Sequence, residues 1–456
     1  MNLSFLRQTT EQRRELILHG SITKTLLLLA FPTLMMSVVQ SLMPLSDGLF
    51  VNNISGTLVA SAVTYSEPII NMMTALAQGL SVAAMAIIGQ INGRGDTQQV
   101  RHISSQIFVT GFCLGILMMP VLALISLPIS ANVDPEISHN VFLYISLYSL
   151  VLPFYFLEFI YNAIKNATGH PEATFIRMVI MLGLKIFFNL VFIVWLRWDV
   201  VGCVASSFCS NVVVSIWMFF ELFVGEGEEK LTIRGFRFDR TVLRDLVQLG
   251  IPSMLSSLML NLGFFLINNE VQKYGAVVLN GQGIANNITA VCFNLPSAFG
   301  SAVTTMVSMN IGAGQGDKAR RSTFRGCVLS AITAVLIIAV VVPLSSHLTI
   351  LFTHEPDVLE IANNSLHIYT YSVVGFGICM VIQGAFIGLG RTRVPLVLGF
   401  LRIWLLRYIF ILLTEHTLSF YSVFWGNLFS NYMAALIAVV LILRVQWVSA
   451  IQGLNT

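Results

Sequence analysis

Charge is what this sequence has least of. Only 10% of its 456 residues are Asp, Glu, Lys or Arg, while 56% are hydrophobic. A soluble domain has too little interior to hide that much apolar surface, so the composition implies a polytopic membrane protein. A net charge of +3 gives no broad basic surface, and no nucleic-acid partner is expected. Cysteine is scarce too: Cys113, Cys203, Cys209, Cys292, Cys327 and Cys379 all lie in apolar runs and form no C-x-x-C. That excludes a disulfide framework or a thiolate metal site and leaves small core residues. There is no H-E-x-x-H, no nucleophile elbow and no P-loop, so neither an enzyme nor an ATP-driven pump is expected, and no cofactor. No polar stretch is long enough for a soluble domain. The longest, Gly225 to Asp245, is a charged linker. The N-terminus is polar and basic, suits a short interfacial helix, and shows no cleavable leader.

What is there is a succession of apolar runs. A membrane span needs ~20 apolar residues. Twelve runs qualify, near 25–51, 60–90, 103–127, 139–163, 176–196, 200–223, 246–269, 277–307, 323–346, 358–386, 395–414 and 420–443. With the N-terminus inside, the inner segments carry Arg7, Arg13, Arg14, Lys24, Arg94, Arg101, Lys165, Arg177, the linker cluster, Lys318, Arg320, Arg321, Arg325, Arg391 and Arg393. The outer loops hold Arg197 and Lys273. The asymmetry places both termini on the cytoplasmic side, here of a cell inner (plasma) membrane.

The chain also repeats itself. Ala30-Phe31-Pro32 returns as Gly250-Ile251-Pro252, Gly93-Arg94-Gly95-Asp96 as Gly314-Gln315-Gly316-Asp317, and Ser210-Asn211 as Ser430-Asn431. Gly79 pairs with Gly300 and Gly169 with Gly390. The expected fold is an all-α membrane protein of 12 transmembrane helices in two pseudo-symmetric six-helix bundles. Its lobes are residues 1–224 and 246–456, joined by a linker at 225–245. Six spans per half keep both halves in one orientation, the plan of a transporter that rocks about a midplane site.

Acids within the spans occur only in the first half: Asp47, Glu67 and Glu158. An ionisable group in a span costs ~3 kcal/mol even on lenient scales, so Asp47 is a functional candidate, with Pro44 one turn before it as a possible bend. Asp47 and Glu67 lie at similar depth, roughly 9–10 Å from the outer ends of their spans. If they face each other, two carboxyls that cannot cheaply both ionise would share a proton. Lys185 lies in span five at the depth of Glu158 on the preceding span, which favours a Lys185–Glu158 pair.

The chain resembles the multidrug and toxic compound extrusion (MATE) family over essentially its whole length. The resemblance is carried by the Pro32-led first span ending in Asp47-Gly48-Leu49-Phe50-Val51, by Gly79-Leu80-Ser81 and by the Gly93 to Asp96 loop. Asn166-Ala167-Thr168-Gly169-His170-Pro171 and Arg402-Ile403-Trp404-Leu405-Leu406-Arg407 complete it. It implies a two-lobed exporter exchanging organic, often cationic, compounds for H⁺ or Na⁺. Asp47 matches the family's acid of span one, and Asn189 falls on the second position of the family's Asn-x-x-x-Asp/Asn pattern in span five. Lys185 stands where that pattern has its first asparagine. A protonated amine repels Na⁺ and offers no lone pair, so H⁺ is the expected coupling ion. The family pattern places Lys185 near Asp47, whereas depth places it near Glu158; both remain open. Acids confined to the first half resemble the DinF-like branch. Arg407 is family-typical and reads as structural, while Arg402 is shallow enough to snorkel.

Polar residues in matched spans mark the expected substrate cleft: Tyr65, Asn71 and Gln78 in span two, Asn261, Asn268 and Asn269 in span seven, and Gln282, Asn286, Asn287 and Asn294 in span eight. Met35, Met36, Met43, Met72, Met73 and Met259 add adaptable surface. His367 reads as a core histidine. The expected activity is H⁺-driven antiport of small organic, cationic or amphiphilic compounds by a monomer whose other partners are membrane lipids. The alternatives are a lipid-linked sugar flippase of the same superfamily and Na⁺-coupled export.

Overall fold

The computed structural model describes residues 9–55, 57–133, 135–224, 230–232, 236–274, 276–351 and 356–451. Some helical side chains lie outside that description, among them those of Pro44, Asp47, Asn268, Asn269 and Asn287. The bend expected at Pro44 is one such feature. Among the described residues there are helices and no strand. A short α1 (Thr10–His19) is followed by α2 (Ile22–Phe50), α3 (Thr57–Arg94), α4 (Thr97–Ala131), α5 (Pro135–Tyr148) and α6 (Leu152–Ala167). Then come α7 (Pro171–Asn189), α8 (Asp199–Phe223), α9 (Arg240–Gln272), α10 (Ala276–Gly312), α11 (Gly316–Thr349) and α12 (Pro356–Gly388). The chain ends with α13 (Arg393–Phe400), α14 (Tyr408–Leu418) and α15 (Tyr421–Leu443). A 3₁₀ turn, Ser149–Val151, joins α5 to α6 into one span. π-helical segments at Leu190–Trp195 and Leu401–Arg407 interrupt spans five and eleven, which correspond in the repeat. Among the described residues, twelve helices are long and apolar enough to cross a membrane, as the apolar runs predict.

The turns explain where helices stop. Gly95, Gly169, Gly314 and Gly390 all adopt positive φ, from 74° to 85°, at the end of a helix. There a side chain would be strained, and a glycine N–H returns to the last turn, as from Gly169 to the Asn166 carbonyl at 3.1 Å. Gly169 and Gly390 are matched as the sequence repeat predicts. The first turn is matched differently. Gly95 is equivalent to Gly314, and Asp96, the N-cap of α4, to Gln315, the N-cap of α11. The Gly-x-Gly-Asp strings are thus two residues out of structural register, because backbone conformation rather than identity sets the correspondence.

One face of α11 shows what surrounds the spans. Phe324, Val328, Ile332, Val335, Leu336, Val340 and Leu344 recur at helical spacing, and all are exposed, Leu336 by 61%. Such an apolar stripe is stable against lipid and not against water.

Two compact units result. One comprises Met1–Arg13 and Met35–Met254, the other Arg14–Leu34 and Leu255–Asn455. They differ from lobes of 1–224 and 246–456 chiefly in two half-helices: the first part of α2 groups with the second unit, the first part of α9 with the first. The α9 helix begins at Arg240, inside the stretch read as linker. In the first unit Val63, Tyr144, Tyr148, Val151, Ile193 and Val204 form one core cluster. In the second, Phe299, Met306, Cys379, Ile382 and Phe386 do so. Lipid removes the hydrophobic drive, so helices hold by close packing of small residues. A Cβ on Gly384 of α12 would sit 2.3 Å from the Gly300 carbonyl oxygen of α10, and Thr304 donates to the Gly384 carbonyl at 3.0 Å.

Candidate coupling site

The first unit contains a buried polar seam among α6, α7 and α8. Helix α8 supplies its floor. Gly202, Cys203, Ser206, Ser207, Ser210 and Asn211 recur three and four apart and are buried. The serine hydroxyls bond back one turn, Ser207 to the Cys203 carbonyl at 3.1 Å and Ser210 to the Ser206 carbonyl at 2.7 Å, which frees them from needing other donors' partners. Small side chains let α7 approach, and Ser206 donates to the Lys185 carbonyl at 3.2 Å. Lys185 is buried, and its ammonium donates to the Ser207 hydroxyl. One turn further on, Asn189 is fully buried at 0% exposure, just before the π-helical Leu190–Trp195. Lys185 and Asn189 therefore share the inward face that their i, i+4 spacing predicts.

Glu158 faces two cations, Arg177 the nearer and Lys185 the more distant. Arg177 of α7 lies 2.9 Å from its carboxylate and donates through Nε to Asn162 at 3.2 Å. Depth points to a Lys185–Glu158 pair, and Lys185 does attract that carboxylate electrostatically, with Arg177 as the nearer cation. Its position, two turns before Lys185 on the same helix, was read as an inner-segment charge; its burial to 1% exposure was missed. A signal existed in the sequence, since Arg177 is embedded in an apolar helix that also carries Lys185. The Lys185–Asp47 alternative and the Asp47–Glu67 pair rest on a side chain outside the described residues.

Glu67 is exposed on α3, and Asn71 and Gln78 follow it at i+4 and i+11, also exposed. These three make a polar stripe on one face of a membrane span, unlike the apolar stripe of α11. Exposed polar groups at that depth require water or ligand beside them. Tyr65 is 45% exposed one half-turn earlier. In the second unit Asn261 and Asn286 are exposed, and Asn261 donates to the Ser257 carbonyl at 2.9 Å. Gln282 departs from the cleft assignment. It is buried inside the second unit, 3.4 Å from the Tyr369 hydroxyl, because α10 turns that face toward α12.

Span eleven also corrects the sequence reading. Arg402 does not snorkel; it is buried with its guanidinium 4.9 Å from the Phe376 ring centroid. Arg407 is buried against Tyr369, donating to its hydroxyl at 3.5 Å. In an α-helix five residues turn by about 500°, leaving such side chains ~140° apart. The wider π-helical winding of Leu401–Arg407 narrows that angle and lets both point inward. Among the described residues, neither has a carboxylate within ion-pair distance. His367 is partly exposed and shares a hydrogen bond with Ser345 at 2.7 Å.

Twelve spans in two six-span halves, one of them carrying a buried polar seam, fit a membrane transporter, and the comparisons agree. The MatE family model matches residues 32–191 and again 252–413, so the duplication is recovered by the same family twice. The chain belongs to the MatE family and is a multi-pass membrane transporter, not an enzyme. It is similar to the "Probable multidrug resistance protein YoeA" of Bacillus subtilis, 23% identical over 84% of this chain and 85% of that one. It is 20% identical to the "Multidrug export protein MepA" of Staphylococcus aureus over 92% and 93%. Among solved structures it resembles an outward-facing MATE family transporter (TM-score 0.86, 22% identity, 96% and 98% covered). It also resembles a MOP superfamily transporter from Pyrococcus furiosus described as having a binding pocket of reverse polarity (TM-score 0.88, 22% identity, 98% and 100% covered).

Proposed function

We propose that the chain is a secondary active exporter of small organic, cationic or amphiphilic compounds, driven by H⁺ flowing inward. The observation that carries H⁺ rather than Na⁺ is Lys185, an amine buried against Ser207 one turn from Asn189. At that place a Na⁺ site needs oxygen lone pairs, and a protonated amine supplies none. Membership of the MatE family and the printed names of the Bacillus and Staphylococcus relatives support multidrug export. In this reading protonation of Asp47 from outside neutralises the site and favours release. Deprotonation toward the cytoplasm permits reloading as the two lobes alternate access. Glu67, Asn71, Gln78, Tyr65, Asn261 and Asn286 provide the polar walls that a substrate meets. The protein works as a monomer in the inner membrane with both termini cytoplasmic, on the DinF-like branch.

The test is transport in proteoliposomes with an imposed H⁺ or Na⁺ gradient and a panel of cationic and anionic dyes. The proposal expects cationic dyes to move against their gradient with H⁺ alone. Movement with Na⁺ alone contradicts it. A second reading, transport of anionic or lipid-linked compounds, is favoured by buried Arg402 and Arg407 and by the solved relative described as of reverse polarity. In that case the anionic dyes move and the cationic ones do not.

A further inference from the structure

Span eleven carries two arginines, Arg402 and Arg407, in the apolar stretch from Leu401 to Leu413. Each is buried in the second unit to 6% exposure. A charge buried in a span is stable when an opposite charge or several hydrogen bonds answer it. The second unit has no acid placed to do so. Asp357 and Glu360 belong to the first two turns of α12, and Glu360 stands nine residues, ~14 Å, before Tyr369, whose ring centroid lies 6.0 Å from the Arg407 guanidinium. Glu355 precedes that helix in the sequence, Asp317 lies in the first turn of α11, and Glu15 is on α1. Glu270 is engaged by the Lys273 ammonium at 2.5 Å and the Tyr408 hydroxyl at 3.5 Å. Glu415 follows Arg407 by eight residues, ~12 Å of helix.

The donors of this cluster outnumber its acceptors. Arg407 donates through Nη2 to the Tyr369 hydroxyl at 3.5 Å, and its buried Nε has no partner. Tyr369 is 1% exposed, and its hydroxyl also accepts from Gln282 at 3.4 Å, which leaves its own proton to donate. The burial of Gln282 thus orients that hydroxyl. Arg402 rests on Phe376, its buried Nη1 has no partner, and the two guanidinium charges repel each other. Phe376 and Tyr369 lie two turns apart on α12, so the two arginines stand at successive depths along that helix. We propose that the second unit holds one chloride ion as a resident counter-charge, bound by the Arg407 Nε–H and the Tyr369 hydroxyl and attracted by Arg402 from the next depth. A carboxylate or phosphate is matched by a parallel fork of two N–H groups, and on Arg407 the Nη2 side of that fork is turned to Tyr369. A spherical ion accepts single N–H and O–H donors from any direction, and a monovalent ion is less costly to bury than a dianion. The ion stays in place whichever coupling ion and cargo the transporter uses.

The experiment is thermal unfolding of the full chain in detergent micelles as potassium gluconate is replaced by potassium chloride at constant K⁺. The midpoint is expected to rise saturably, by about 2–4 °C, because an ion that binds the folded chain alone stabilises it. Arg407→Gln should lose this response, and Arg407→Lys, which keeps the charge, should retain it. Arg402→Gln should raise the half-saturating chloride concentration about tenfold, the loss of one charge-assisted interaction. A merely structural role for Arg407 would lower the midpoint equally in both salts. Equilibrium dialysis of the unmodified chain with radioactive chloride should give one ion per chain, displaced by bromide, and decides the matter if Arg407→Gln does not fold. Absence of bound chloride, equal midpoints in the two salts, or a chloride response that survives Arg407→Gln overturns the proposal. Chloride moving across proteoliposomes with each exported substrate would make it cargo and overturns the resident role.

Discussion

At the scale of single residues, the buried cations of the first unit divide the work. Arg177 meets Glu158 at 2.9 Å, while Lys185 donates to Ser207 and adds a weaker attraction to the same carboxylate. Removing one member of a buried pair leaves an uncompensated charge, which costs ~3–5 kcal/mol, whereas replacing both can be nearly neutral. Arg177→Met is therefore expected to destabilise the chain by about that amount in detergent unfolding, and adding Glu158→Gln should recover most of it. Lys185→Asn places a neutral oxygen ligand where the ammonium stands. In proteoliposomes it should confer a Na⁺ stimulation of export that the unmodified chain lacks; equal Na⁺ response in both would count against the role given to Lys185. Helical periodicity puts Lys185 and Asn189 on one face in the sequence, and both are buried in the structure. It missed the Arg177–Glu158 pair and the burial of Gln282 and Arg402. Those outcomes depend on which neighbouring helix each face meets, and one helix's period carries no record of that.

At the scale of elements, the spans and their ends were the most legible features. Apolar runs located all twelve spans, and glycines located the turns. The register of the first repeated turn was not legible, since Gly93, Gly95, Gly314 and Gly316 offer several identity matches and only φ separates them. The crossing of α10 and α12 rests on Gly300 and Gly384. Gly384→Val would drive a side chain into the Gly300 carbonyl, so a loss of ~1–3 kcal/mol in detergent unfolding is expected. A pH dependence is expected at the start of α9. The N–H of Thr241, at 2.8 Å, is the main influence holding the Asp239 carboxyl below the usual carboxylate range, with burial opposing it. The N–H of Val242 and His102 add to the lowering. The folded chain thus binds this proton less tightly than the unfolded chain. The stabilisation is complete above ~4, the ordinary value, and disappears as pH falls through the lower folded value. Amide exchange at the start of α9 should accelerate in that acid range, and Asp239→Asn should remove that part of the acceleration.

At the scale of the whole molecule, the first half buries Glu158 with Arg177, while the second buries Arg402 against Phe376 and Arg407 against Tyr369. Duplication alone builds two similar bundles; in the proposed function, divergence of a few side chains gives ion coupling to the first. Arg13 is 1% exposed and lies 2.5 Å from Glu172, which holds the first turn of α1 to the first unit. Burial lowers that guanidinium to about 10, with Glu172 opposing the shift, so it stays charged at neutrality and the pair persists there. Lys318 meanwhile donates to the Leu18 carbonyl at 2.6 Å within the second unit. The central claim concerns Asp47. The direct measurement is export from proteoliposomes across a series of imposed pH gradients, comparing the unmodified chain with Asp47→Asn. The account predicts that uphill export rises with the inward H⁺ gradient in the unmodified chain and that Asp47→Asn abolishes the dependence. An Asp47→Asn protein that still exports uphill with an unchanged pH dependence would contradict it.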